Sequence, residues 1–225
     1  MVLMELRLAV FDMAGTTVDD VIDGVPLVLR SYDEAFKAHG IKIPMETLND
    51  MRGRDKREVI NMLGGEKADV IFRDFTGILN ANVSKLKEIE GTTEVFSWLR
   101  SHHVGVSVES GFPATVTHDI VKHLGWLEGA VDYWTCSEIV GEERPSPAMI
   151  RRAMRHLHVR DPEQVLKVDD TAIGIEEGLN ARCHTVAVLT GTQGKAKLEA
   201  ARPDAILPSV RELPGHLVAS GLVTV

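Results

Sequence analysis

Short apolar-rich runs alternate along this chain with longer stretches in which apolar residues recur every three or four positions. The run ending at Phe11 and those at 104–108, 164–168 and 184–189 read as strands buried on both faces, which lack the alternation of a half-exposed strand. A weaker strand is predicted at 131–134, and a last one at 205–207. Helical periods predict helices over 25–39 (Val28, Tyr32, Ala35 and Phe36 on one face, Gly40 closing), 54–63 (stopped by Gly64 and Gly65) and 66–86. No strand is expected between about 18 and 90. Later, Thr92 and Thr93 are placed to cap a helix through Arg100, Pro113 opens one closed by Gly125, and Pro147 opens another. A further helix is predicted to run to about Ala181, and a short one precedes the last strand. Strands alternating with helices predict an α/β fold with a doubly wound parallel sheet. The core is expected to comprise 1–17 and 91–225, with 18–90 inserted as a helical unit whose junctions lie near 17–24 and 87–92.

In a parallel sheet all carboxyl ends lie at one edge, where open α/β folds place their sites. Asp12, Glu109-Ser110 and Asp169-Asp170 each follow a predicted strand, and the loop carrying Arg144-Pro145-Ser146-Pro147 can join them. Two or three carboxylates with oxygen neighbours suit a hard cation, Mg²⁺ foremost. Gly15, Thr16 and Thr17 supply donors of the kind that surround a phosphoryl group, and Arg144 supplies a balancing charge. Asp12 is then placed to attack phosphorus.

The 225 residues, 44% hydrophobic and 26% charged, suffice for one large domain or a core with an insertion. A formal charge of −8 without a basic run argues against a nucleic-acid partner. Cys136 and Cys183 are too few for a disulfide framework and read as buried thiols. With no signal-like or membrane-spanning run, a cytoplasmic protein without a membrane partner is expected. His102, His103, His118 and His123 read as surface residues, and Trp98, Trp126 and Trp134 as packing residues.

These motifs together resemble the haloacid dehalogenase superfamily over nearly the whole chain, as a core with a helical cap inserted after the first motif. The stretch Asp12-Met13-Ala14-Gly15-Thr16-Thr17-Val18-Asp19 is similar to the phosphonatase branch, the phosphonoacetaldehyde hydrolases and their relatives. Arg144-Pro145-Ser146-Pro147 also resembles that branch, which carries arginine where most relatives use lysine, and 175–181 resembles the helix after the last acidic motif. The resemblance implies a Rossmannoid core with a cap and a Mg²⁺-dependent hydrolase whose nucleophile is Asp12. The metal ligands would be Asp12, the Ala14 carbonyl and Asp170, with Asp169 assisting. Thr16, Gly53, Ser110 and Gly111 would contact substrate or its phosphoryl group, with Arg144 as catalytic counterion. Ordinary phosphatases of the superfamily carry an acid at the position of Ala14; the phosphonatase branch does not. Gly53-Arg54-Asp55-Lys56 aligns with the glycine–lysine loop of the cap, which makes Lys56 the residue for a Schiff base with a substrate aldehyde. Arg52, Arg54 and Arg57 are expected to favour its free amine. The expected partner is a small phosphonate or phosphorylated metabolite, with homodimerisation through the cap.

The chain departs from the family pattern at five positions. Val59 stands where a histidine assists proton transfer, Arg52 where a methionine precedes the cap glycine, and Glu109 where Thr or Ser binds phosphate. Asp169 replaces the glycine before Asp170, and Gly174 replaces the second acid, a loss expected to weaken or reorganise the metal site. Three readings stay open at this level: a phosphonatase-like hydrolase in which Lys56 contacts or covalently binds the substrate, a phosphate-monoester hydrolase in which water or a cap residue replaces the acid missing at Ala14, and a catalytically weak relative that binds an anion or a partner.

Overall fold

The computed structural model describes residues 5–224. The chain opens on β1 (Leu8–Asp12), then crosses three two-residue strands, β2 (Val18–Asp19), β3 (Val21–Ile22) and β4 (Val25–Pro26). Helices α1 (Leu27–Ala38), α2 (Met45–Asp50), α3 (Lys56–Gly64) and α4 (Ala68–Asn82) follow, and β5 (Lys87–Glu88) brings the chain back. The remainder alternates as α5 (Thr92–Ser101), β6 (Gly105–Ser110), α6 (Ala114–His123), β7 (Tyr133–Cys136) and the single turn α7 (Ser137–Val140). Then come α8 (Ala148–His156), β8 (Val165–Asp169), α9 (Ala172–Ala181), β9 (His184–Val188), α10 (Lys195–Ala200), β10 (Ala205–Leu207) and α11 (Leu213–Ala219).

Six strands form one sheet in the order β10-β9-β8-β1-β6-β7, and every pairing in it is parallel. From β1 the chain builds outward one way through β6 and β7 and the other way through β8, β9 and β10, so the sheet has its switch point at β1. Register brings Asp12 opposite Glu109 and Phe11 opposite Val168, which puts Asp12, Glu109 and Asp169 at one level. The two faces follow strand alternation. Leu8 and Val10 join Ile150, Ala153 and Met154 of α8 in one buried cluster. Ala9 and Phe11 face the larger one, which holds Phe96, Leu99, Leu213 and Leu217. The inserted helices bury the predicted stripe of α1, with Tyr32 stacked on Phe75 of α4 at 4.6 Å between ring centroids.

Several expectations need correcting. The 18–90 segment is not wholly helical: β2 pairs with β5 and β3 with β4, both antiparallel. Two-residue ladders are too short to leave a period in the sequence. Thr92 and Thr93 do not cap α5; Gly91, at φ +89°, is its N-cap, and the Thr92 hydroxyl donates to the Ile89 carbonyl at 2.7 Å. The helix expected over 66–86 is α4 flanked by single 3₁₀ turns. Strand β6 runs on through Glu109 and Ser110, and β7 lies two residues later than expected. Helices α2 and α11 add to the predicted set. Cys136 and Cys183 are free and buried. Among the described residues no helix is long and apolar enough to cross a membrane.

Candidate active site

The Met13 carbonyl closes the turn after β1 by accepting from the amides of Thr17 at 2.9 Å and Val18 at 2.7 Å. That turn leaves Asp12 at the strand's end beside Asp169 and Asp170. One oxygen from each of the three buried carboxylates lies within 4.8 Å of the others. Asp170 Oδ2 is buried and accepts no hydrogen bond, whereas Asp169 Oδ2 is ion-paired with Lys167 at 3.1 Å. Burial pushes Asp12 up to about 6 although Arg144 opposes it, and pushes Asp170 up to about 8 against the pull of Arg52. Three converging buried carboxylates, one of them Asp170 with an oxygen left without a partner, are a fitting donor set for a hard divalent cation. Thr16, expected to contact the phosphoryl group, donates its hydroxyl to Asp170 Oδ1 at 3.0 Å and is wholly buried.

Behind Asp12 lies a buried ion cluster that sequence reasoning did not anticipate. Arg144 reaches Asp12 Oδ1 through Nη1 at 2.7 Å, Glu109 Oε1 through Nη2 at 3.0 Å and Glu177 Oε2 through Nε at 2.8 Å. Nη1 also donates to the Gly53 carbonyl at 3.3 Å. Lys167, with no exposed surface, contacts Glu109, Asp169 Oδ2 at 3.1 Å and Glu177 Oε2 at 3.2 Å. Burial alone would raise Glu109, but Lys167 and Arg144 more than reverse that and hold it at about 2. Burial and the neighbouring Glu109 push Glu177 well above the usual carboxylate range.

This cluster resolves two of the departures. Glu109 is turned into the cations and away from the reaction space, so no repulsion with a phosphoryl group arises from it. A Cβ at position 174 would overlap the Asp169 carboxylate, so Asp169 fills the volume that a side chain at 174 would occupy. The third carboxylate is supplied from the strand end instead of the helix. Arg144, expected to hold the phosphoryl group, spends its donors on three carboxylates, the predicted nucleophile Asp12 among them, and on the Gly53 carbonyl.

The 51–55 loop of the insertion closes over this edge of the sheet. Gly53 has φ +87°, and a Cβ there would lie 2.6 Å from both Ile173 Cγ2 and Thr171 Oγ1, so only glycine fits. Asp55 caps α3 by accepting from Glu58 N at 2.9 Å and also contacts the Ser137 hydroxyl across the seam. Lys56, the first residue of α3, is 5% exposed; its amide donates to the Gly111 carbonyl at 3.1 Å and its Nζ to the Arg54 carbonyl at 2.7 Å. Burial lowers the Lys56 ammonium to about 8; Arg144 and Arg52 assist, Asp12 and Asp55 oppose. Of the arginines expected to do this, Arg52 does. Arg57 instead pairs with Asp69 at 2.8 Å and lies over Phe72, and Arg54 offers Lys56 its carbonyl. The Ser110 hydroxyl accepts from Phe112 N at 3.0 Å. Asp12, Ala14, Gly53, Lys56, Ser110 and Gly111 all line one small cavity of about 10 Å³, room for about one water molecule. Lys167 and Glu177 were missed because pairing between distant segments is invisible locally. The one hint was a lysine set between Leu166 and Val168 in a run otherwise fit for burial.

Residues 9–188 match the family model described as haloacid dehalogenase-like hydrolase. A phosphonoacetaldehyde hydrolase of Bordetella pertussis is 27% identical, with 94% of this chain and 91% of that protein aligned. In solved structures, a phosphonoacetaldehyde hydrolase-like protein of Oleispira antarctica has a TM-score of 0.85 at 22% identity, covering 96% of this chain and 93% of the other. A hydrolase of the same superfamily from Deinococcus radiodurans, with bound phosphate and sodium, has a TM-score of 0.71 at 22% identity, covering 97% and 98%. These structural likenesses establish a common fold. The family match, spanning most of the chain and both halves of the carboxylate site, makes this enzyme a member of the haloacid dehalogenase-like hydrolases.

Proposed function

We propose that the enzyme is a Mg²⁺-dependent phosphonatase-like hydrolase that cleaves the C–P bond of a small phosphonate bearing a carbonyl group, phosphonoacetaldehyde or a close analogue. The observation that carries this reading is the Lys56 amine, buried in the same cavity as Asp12 and brought down to about 8. At pH 7.5 roughly a quarter of it is free amine, against about a thousandth for a lysine in water. A residue that only held a phosphate would gain nothing from that.

Lys56 adds to the substrate carbonyl and loses water to give an iminium. An Asp12 oxygen attacks phosphorus, the C–P bond breaks, and its electron pair enters the iminium to give an enamine. The leaving carbon therefore needs no acid from position 14, where Ala14 stands. Water then hydrolyses the aspartyl phosphate, and protonation and hydrolysis of the enamine free Lys56. Arg144 keeps Asp12 ionised and aimed. Asp12, Asp170 and the Ala14 carbonyl, with Asp169 beside them, would hold Mg²⁺, which when bound neutralises and orients the phosphoryl group. The insertion acts as a cap that excludes water, and opens to admit substrate since the closed cavity has no room for it.

The test is borohydride reduction in the presence of phosphonoacetaldehyde and Mg²⁺, read by mass spectrometry of the digested protein. An adduct on Lys56, absent from Lys56→Arg, is expected together with phosphate release. Phosphate release from monoesters that survives Lys56→Arg, with no adduct, would instead establish a phosphatase.

A further inference from the structure

Arg52 lines the active cavity, and beyond helping to lower Lys56 the proposed chemistry gives it no part. Its side chain is 3% exposed, and its Nη2 donates to the Ala14 carbonyl at 3.1 Å, the oxygen assigned above to the metal. Its only carboxylate partner among the described residues is Asp20, at 3.3 and 3.5 Å, longer than the 2.7–2.9 Å typical of a close charge-assisted bond. Asp170 and Asp12 both act on the guanidinium, so it stands in the field of the carboxylate pocket. The cations behind the pocket serve its other members: Arg144 binds Asp12 and Lys167 binds Asp169, while Asp170 has only the Thr16 hydroxyl and an oxygen without a partner. Asp170 is therefore the member of the pocket without an ion pair, and Arg52, held on the neighbouring Ala14 carbonyl, is the cation whose charge acts on it. Arg52 also rides on the loop that carries Gly53 and leads into Lys56, so whatever moves that loop moves the charge.

We propose that Arg52 is a tethered cation that competes with the divalent metal when no substrate is present, and that turns to the phosphoryl group when metal and substrate are both bound. Metal and phosphoryl anion then bind as a pair, each weakly alone. The metal takes the carboxylates and the Ala14 carbonyl, and the incoming anion gives the displaced guanidinium a partner. This rests on Asp12 and its neighbours being the metal and phosphoryl site, but not on the Schiff base at Lys56.

Mn²⁺ binding to the full chain without substrate, followed by the spin-resonance signal of free Mn²⁺, tests the proposal without turnover. Relieving repulsion between a guanidinium and a divalent ion a few ångströms apart should tighten Mn²⁺ binding by about tenfold or more in Arg52→Met, even with strong screening. Arg52→Lys, which keeps the charge, should stay within about threefold of the parent. Orthovanadate binding to the Mn²⁺-loaded protein, read by calorimetry, should weaken about tenfold in Arg52→Met. Unchanged or weaker Mn²⁺ binding in Arg52→Met overturns the proposal and makes Arg52 a brace for the Ala14 carbonyl. Should circular dichroism show that variant unfolded, Asp20→Asn decides: a guanidinium freed from Asp20 should weaken Mn²⁺ binding, and tighter binding refutes competition. Absence of Mn²⁺ binding in every variant would overturn the metal site itself, an outcome distinct from failure at Arg52.

Discussion

Replacing Gly174 by alanine adds one methyl group at a place already taken by the carboxylate of Asp169. In an exposed helix the change would stabilise by about 1 kcal/mol. Here the methyl must push out a side chain whose Oδ1 accepts from Thr171 N at 2.9 Å and Thr171 Oγ1 at 2.6 Å, and whose Oδ2 meets Lys167 Nζ at 3.1 Å. Overpacking alone costs about 1–3 kcal/mol. Breaking one member out of a buried ion set costs about 3–5 kcal/mol when it is complete. Partial displacement less the helix gain leaves a net loss of about 3 kcal/mol, or a melting temperature lower by about 6–12 °C for a chain of this size. In an Asp169→Gly background the obstacle is gone, and the same methyl should be neutral or stabilising by up to about 1 kcal/mol. Urea unfolding of the four proteins of this cycle gives the coupling directly. A Gly174→Ala cost below about 1 kcal/mol, or an equal cost in both backgrounds, would refute the shared-volume argument.

Lys167→Met leaves Glu109, Asp169 and Glu177 with Arg144 as their remaining cation and should destabilise by about 3–5 kcal/mol near neutral pH, read by urea unfolding. That loss should shrink as pH falls toward 4, because without Lys167 the Glu109 carboxyl rises from its depressed value and takes up the proton that relieves the orphaned charge. Gly111→Ala would place a Cβ 2.5 Å from the Arg54 carbonyl, across the seam between insertion and sheet. It should lower kcat/KM about tenfold while changing folding stability by less than about 1 kcal/mol, since the loop can lift away. The rate of borohydride trapping at Lys56 should rise with pH and level off above about 8, where the amine is free. A limb that keeps rising toward the range of an ordinary lysine would show that burial does not act on this residue.

The sheet was readable because parallel strands buried on both faces read as apolar runs, and Leu8–Asp12 supplies one, Val165–Asp169 another interrupted by Lys167, each with an acid at its end. Asp12 and Asp170 could be placed from that alone, since all carboxyl ends share an edge. What escaped was whatever depends on partners far along the chain. Lys167 looks out of place in a strand until Glu109 and Glu177 are beside it, and Glu109 looks hostile to a phosphoryl group until Lys167 and Arg144 are. The lowered lysine was anticipated, but its causes were assigned by sequence proximity. Burial and Arg144, 88 positions away, outweigh Arg54 and Arg57 next door. Two-residue strands such as β2 and β5 have no pattern to detect.

Those two strands bear on how the molecule could be rebuilt. Val18 lies opposite Glu88 and Asp19 opposite Lys87, so the chain leaves the sheet layer and returns to it at neighbouring points, about 5 Å apart between paired Cα atoms. Any helical unit with termini that close could be grafted between Asp19 and Lys87 without asking the sheet to move. The reverse also holds: a short turn joining the two legs should leave a foldable core with its carboxylates open to solvent. Such a minimal form would expose Asp12 to any phosphoryl compound, trading selectivity for access, and the same core could be refitted with covers of different chemistry.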